Sequence, residues 1–229
     1  MIDVIVVSEG QTEERFVERC LAPFFVEHGV RLEPRLIATS RVAKGGALSR
    51  ERVLRALRNT LRERGTTYVT TFFDLYGLTS DFPGVREFSA VRDPLERARR
   101  IEQALQSQAI EVAERREDRF FSHIQPHEFE ALVFSDVESI VAVRSEWRPF
   151  LGQLQRVRDE ALSPEHINDG PETHPSQRLQ RLLRPKFEKV LDGIRIVERI
   201  GVDGLRSQCK HFDAWVSHIE ALTPLSGGG

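Results

Sequence analysis

The apolar run Val4-Ile5-Val6-Val7 opens the chain, and Glu9-Gly10 punctuates its end. A short β-branched run of this kind suits a strand buried on both faces. From Thr12 to about His28 the period changes. Phe16, Val17, Cys20, Leu21, Phe24 and Phe25 recur at helical spacing, with Thr12 the expected N-cap and acids in the first turn. The unit then repeats: a strand around Arg31 to Ile37, a loop holding Gly45-Gly46, and a helix from about Ser49 to Arg64 with Val53, Leu54, Leu57 and Leu61 inward. Tyr68 to Phe73 predicts a third strand ending on Asp74. A Gly/Pro-punctuated loop follows to about Pro94, then a helix to roughly Glu114. A fourth strand, Phe120 to Gln125, leads into a helix over His127 to Phe134.

Strands alternating with helices imply an α/β fold, a parallel sheet of about four strands joined by right-handed crossovers. Ligands of such sheets bind beyond the carboxyl ends of the strands. Those ends carry Glu9, Asp74 and the pair Glu128/Glu130, so residues far apart in sequence are expected to converge there. After Val143 the strand signal fades into short helices broken at Ser163-Pro164, Gly170-Pro171, Pro185, Gly193 and Gly201. The expected division is an α/β domain over 1–143, a helical extension packed on it over 144–225, and a flexible tail, Ser226-Gly227-Gly228-Gly229.

Composition adjusts this picture little. The 229 residues, 40% hydrophobic and 30% charged, suit a folded chain rather than a disordered one. A net charge of -2 means that affinity for nucleic acid would come from local basic surface or from metal. Cys20 and Cys209 are the only cysteines, and Cys20 falls among apolar neighbours. With no basic leader and no run of about 18 apolar residues, the expectation is a reduced, cytoplasmic protein without a membrane segment.

Candidate chemistry concentrates on acids. A hard cation such as Mg²⁺ takes oxygen ligands in octahedral geometry, commonly from one or two carboxylates with water and phosphate oxygens. Glu9 projects past a strand end, Gly10 permits a tight turn, and Glu13 lies where a helix dipole favours a carboxylate. Asp74 stands where an apolar strand meets a polar loop. Each acid alone also suits a cap or solvated surface. Glu128 and Glu130, two apart on a predicted helix, should point in different directions, which makes one of them structural, and Glu128 is the preferred ligand. His127 is either a proton shuttle and ligand-orienting group or a satisfied structural histidine. Asp136 reads as a cap.

Basic and polar stretches have two readings as well. Arginines number 29 against four lysines. Arg55, Arg58 and Arg62 share a helix face, with Arg41 and Lys44 in the loop before it, and Arg178, Arg181, Arg184 and Lys186 form a second stretch. Either stretch could grip phosphates, although a solvated face is the simpler reading of both. Asn168-Asp169-Gly170-Pro171 is turn chemistry that could also fold over the acidic site. His166, His174, His211 and His218 lack the spacing of a zinc site, so zinc is discounted. No Gly-x-Gly-x-x-Gly, Gly-Lys-Ser/Thr or Gly-x-Ser-x-Gly pattern occurs, which disfavours dinucleotide binding, intrinsic ATPase activity and serine hydrolysis.

Glu9-Gly10-Gln11-Thr12-Glu13 after the first strand resembles the glutamate motif of Toprim domains, found in primases, topoisomerases and overcoming-lysogenization-defect nucleases. Over nearly the whole chain the sequence is similar to a Toprim-like bacterial family, domain of unknown function 4276. The stretches carrying that similarity are Val6 to Glu14, Phe73 to Leu78, Asp81-Phe82-Pro83-Gly84, His127 to Leu132 and Ile167 to Thr173. The resemblance implies a Toprim-like (Rossmann-like) fold and Mg²⁺- or Mn²⁺-dependent nuclease activity on DNA or RNA. Glu9 matches the Toprim glutamate and Asp74 the first aspartate of Asp-x-Asp, while Tyr76 replaces the second. The expected catalytic set is Glu9, Asp74 and Glu128, with Glu13 and Glu130 as further metal ligands. Asp81 is a candidate replacement ligand. His127, Asp81, Lys44, Asn168, Asp169 and Arg178 are candidates for supporting or substrate contacts. Implied partners are a nucleic acid and an ATPase encoded nearby, in an anti-phage defence role, with self-association open. The alternatives are a catalytically degenerate binding or regulatory subunit, and a phosphatase or phosphotransferase acting on small nucleotides.

Overall fold

Along β1 (Ile2–Ser8), Val4 and Val6 face one core while Ile5 and Val7 face another, so the strand is buried on both sides. The computed structural model describes residues 1–37, 48–113, 117–167 and 173–225. Lys44, Asn168, Asp169 and the glycine tail lie outside the described residues. β2 (Val30–Leu36) and β3 (Tyr68–Asp74) flank β1, and the predicted fourth strand forms as two short pieces, β4 (Phe120–Phe121) and β5 (Ile124–Gln125). The order is β2-β1-β3-β4, with β5 also pairing β3, and every pairing is parallel. Thr71 explains the break between β4 and β5. Its buried hydroxyl donates to the His123 carbonyl at 2.9 Å and accepts from the His123 N–H at 2.9 Å, replacing a ladder bond by a side chain.

Helices cover both faces in an α/β, Rossmann-like arrangement. α1 (Gln11–Phe16) and α2 (Ala22–Glu27) are joined by a π-helical turn, Val17–Leu21. α3 (Arg50–Glu63) and α4 (Pro94–Ala113) supply Leu57, Leu61, Ile101 and Leu105 to the Ile5/Val7 core. The opposite core, beneath Val4 and Val6, receives Phe16 and the helices of the second half. These are α5 (Glu130–Val133), α6 (Val137–Val143), α7 (Leu151–Asp159), α8 (Pro175–Leu182), α9 (Ile194–Gln208) and α10 (Lys210–Glu220). Phe16 sits among Phe72, Phe129 and Phe212, with centroids 5.6, 5.2 and 5.9 Å away. Trp215 Nε1 donates to Thr70 Oγ1 at 2.9 Å, and the Tyr68 hydroxyl to the Thr223 carbonyl at 2.8 Å. The residues beyond 143 therefore share one core with β1, α1 and α2.

Several local expectations are corrected. Gly10, not Thr12, caps α1, and its N–H donates to Glu13 Oε2 at 2.9 Å, while Thr12 is buried. No break occurs at Gly193, where a π-helical turn, Lys189–Gly193, continues into α9; α9 itself kinks at Gly201, whose φ is 75°. The helix predicted from His127 begins only at Glu130, because His127 takes a left-handed φ of 63°. Asp136 caps α6 as expected, accepting from the Glu138 N–H at 3.1 Å. Among the described residues no helix is long and apolar enough to cross a membrane.

Candidate functional site

Three strand exits deliver carboxylates to one end of the sheet. Glu9 follows β1, and a Cβ at Gly77 would run into its carboxylate, so a larger residue there would displace the end of that side chain. Glu13, one turn into α1, is buried and held by the Gly10 N–H. Asp74 ends β3 half-buried, with Oδ1 accepting from the Phe129 N–H at 2.8 Å. The Tyr76 N–H donates to the His127 carbonyl at 3.0 Å. The loops after β3 and β5 are thus cross-linked, and the left-handed His127 makes the bend that brings Phe129 to Asp74.

That bend also overturns the expectation that Glu128 and Glu130 point apart. Helical geometry breaks at the left-handed His127, and both side chains reach Lys189, whose Nζ lies 3.5 Å from Glu128 and 3.0 Å from Glu130. Their partners differ. Glu128 Oε1 accepts from the Ser176 N–H and faces His174 Nδ1 at 3.1 Å, while Oε2 accepts from the Ser176 hydroxyl at 3.1 Å. Glu128 therefore closes the N-terminus of α8, a position its charge suits. Glu130, 1% exposed, pairs with Lys189 and is the freer of the two to take a ligand.

The electrostatics follow from five acids around one lysine. Burial pushes the Glu9 carboxyl up to about 7, Glu13 adds to this, and Arg52 and Lys189 oppose it. Glu130 is likewise raised to about 7 by burial against the pull of Lys189. Burial raises Glu13, and it raises Asp74 well above the usual range, reinforced there by Glu13, Glu130 and Glu128. Glu128 moves the other way: burial opposes its ionisation, but Lys189, the Ser176 N–H and His174 hold it below its ordinary value. Glu130, Glu128 and Asp74 raise Lys189 despite its burial.

Lys189 is the member of this cluster that the sequence alone does not single out. It sits in an unremarkable polar stretch, and only the π-helical turn aims it at the acids. Tyr76 is exposed and stacks on His127, with centroids 5.6 Å apart, rather than joining the carboxylates. His127 is buried, and that burial lowers its imidazole to about 4. Asp81 is elsewhere. It accepts from the Arg50 N–H at 3.3 Å at the start of α3 and shares a cleft with Arg55 and Arg58, so it does not complete the acidic set. Arg178 Nε donates to the Thr173 carbonyl, and Arg184 Nη1 donates to the carbonyls of Gln180, Arg181 and Leu183. Arg184 is thereby committed to the end of its own helix.

Beside the acids, Arg15, Arg19, Lys189 and Arg195 line a groove of about 560 Å³. Arg15 and Arg195 are exposed, whereas Arg19 pairs with Glu198 at 2.6 Å. At the sheet margin, His211 meets His123 and Glu102, a grouping that the spacing of histidines along the chain concealed. The profile of one family, described as Domain of unknown function (DUF4276), matches residues 8–220. No curated protein and no solved structure matches the chain.

Proposed function

The chain belongs to the family described as Domain of unknown function (DUF4276), and from the geometry of its acidic cluster we propose that it hydrolyses phosphodiester bonds of a nucleic acid with Mg²⁺ or Mn²⁺. The observation that carries this reading is the convergence of Glu9, Glu13, Asp74 and Glu130 from separate elements around Lys189. The donor set fits a hard divalent ion: it is all oxygen, and its negative charge exceeds what one lysine balances. When bound, such an ion polarises a phosphoryl oxygen and acidifies a water.

The chain's own residues do the rest. Glu9, Asp74 and Glu130 offer ligand oxygens, with Glu13 beside them fixed by the turn at Gly10. Lys189 limits repulsion among the acids, and Glu128 tethers it to the start of α8. Arg15 and Arg195 present cations in the adjoining groove, where flanking phosphates would lie. The Toprim-like assignment, resting on Glu9 to Glu13, belongs to this proposal, as does a role as an anti-phage effector beside an ATPase.

The test is cleavage of plasmid, single-stranded DNA and RNA in Mg²⁺ or Mn²⁺ by the parent chain and by Glu9→Gln. The variant keeps the side-chain size and removes the ligand charge. A loss of about 100- to 1,000-fold is expected, and a rate equal to the parent's would end the assignment. Tyr76, exposed and stacked on His127 where a second Toprim aspartate would stand, favours a second reading, a non-catalytic binding subunit. Calorimetric titration separates the two. Mg²⁺ or Mn²⁺ binding that is lost in Asp74→Asn supports the metal centre, and absence of binding supports the subunit.

A further inference from the structure

Glu102, His123 and His211 come from three elements that have no sequence motif in common. Glu102 projects from α4, His123 lies in the break between β4 and β5, and His211 is in the first turn of α10. Glu102 and His211 therefore reach across the sheet's last strand from the two opposite helical layers. Glu102 Oε1 lies 2.8 Å from His211 Nε2 and 3.7 Å from His123 Nδ1, and the three ligand atoms all fall within 4.8 Å of one another. Ligands of a tetrahedral zinc ion, bound at about 2.0–2.1 Å, stand roughly 3.3 Å apart. Modest side-chain rotation would bring the trio to that spacing.

A hydrogen bond between Glu102 and His211 would by itself knit the two layers together, but it gives His123 no part. His123 is 1% exposed, and its Nε2 faces Gln125 Oε1 at 3.4 Å. An amide oxygen there accepts a hydrogen bond, which places the N–H on Nε2 and leaves the Nδ1 lone pair facing Glu102. An outward N–H···O contact of this kind is the support that metal-binding imidazoles ordinarily receive. The ring also stacks on Trp215 and His211, with centroids 4.8 and 5.1 Å away. Glu102 Oε1 is fixed by the Ile124 N–H at 2.7 Å, and the His211 backbone by Glu165 Oε2 at 3.0 Å. All three residues line a cavity of about 450 Å³, which leaves room for a fourth ligand from solvent.

We propose that Glu102, His123 and His211 bind a divalent transition ion of the zinc class, at a site separate from the carboxylate cluster. Two imidazoles and one carboxylate suit a borderline-soft ion, whereas Mg²⁺ is better matched by oxygen alone. The ion would join α4, the strand break and α10, with water or another small ligand completing its coordination.

The experiment is calorimetric titration of the full chain with Zn²⁺ in excess Mg²⁺, using the Asp74→Asn, Glu130→Gln double variant to remove competition from the carboxylates. One bound Zn²⁺ per chain is expected. Glu102→Gln keeps an oxygen for the Ile124 N–H, yet should weaken binding by more than the roughly 100-fold that losing a ligand's supporting partner costs. Unchanged affinity in that variant overturns the proposal, as does failure of the parent chain to bind Zn²⁺. Should Glu102→Gln fail to fold, X-ray absorption on the Zn²⁺-loaded double variant decides. Two imidazole scatterers support the site, and a shell of oxygens alone overturns it.

Discussion

The carboxylate cluster and the Glu102/His123/His211 pocket take residues from just after and just before β5, and they are assembled in opposite ways. The first gathers charge of one sign at the ends of β1, β3 and β5, with Lys189 among the acids. The second draws Glu102 and His211 from helices in opposite layers onto His123 in the strand break, whose ring stacks on Trp215 and His211. Strand ends hold several backbones close together, so short polar segments suffice to concentrate acids. A pocket between layers depends on packing, and its donors can be distant in the chain.

The sharpest way to break this contrast is Asp74→Asn. Mg²⁺-supported cleavage should fall about 1,000-fold, or roughly 4 kcal/mol, while calorimetry still detects the Zn²⁺ site; simultaneous loss of both would make them one site. Thr71→Val tests the other side. It removes both hydrogen bonds to the His123 backbone and should cost about 2 kcal/mol in urea unfolding. Gly77→Ala pushes a methyl against Glu9, and Mg²⁺ affinity should drop about tenfold, roughly 1.4 kcal/mol. An unaltered affinity would mean that Glu9 yields without consequence.

Proton linkage gives a further separation. Glu9 and Glu130 rise from the usual 4.5 to about 7 in the folded chain, so the folded state holds these protons more tightly than the unfolded one. In chelator their contribution to stability is therefore fully present below pH 4.5 and is lost as pH rises through 7. Thermal unfolding between pH 5 and 7.5 should show this decline, and Mg²⁺ should flatten it. The smallest expected effect is that of Glu128→Gln, about 1 kcal/mol from a weakened start to α8, with metal affinity less affected than by Glu130→Gln. The reverse order would make Glu128 the ligand.

The core of the sheet and the first acids were legible because β1 and β3 are compact apolar runs with an acid at the end of each, as at Val7–Glu9 and Phe73–Asp74. The orientation of Glu128 and Glu130 was not, since a helical period hides the left-handed His127 that redirects them. Asp81 misled for a different reason: the start of α3 and the Thr79 hydroxyl draw it away from the acids. Lys189 and His123 carry no local signal, because what selects them is the position of another chain segment.

Both margins of the sheet described above resist extension. β2 has one strand neighbour among the described residues, but Pro34 lacks the N–H that an incoming strand would need, and Arg31, Glu33 and Arg35 charge the same segment. At the opposite margin β4 and β5 are two residues each, and Glu102 and His211 reach around them from both layers. Among the described residues both edges are thereby guarded against edge-to-edge aggregation.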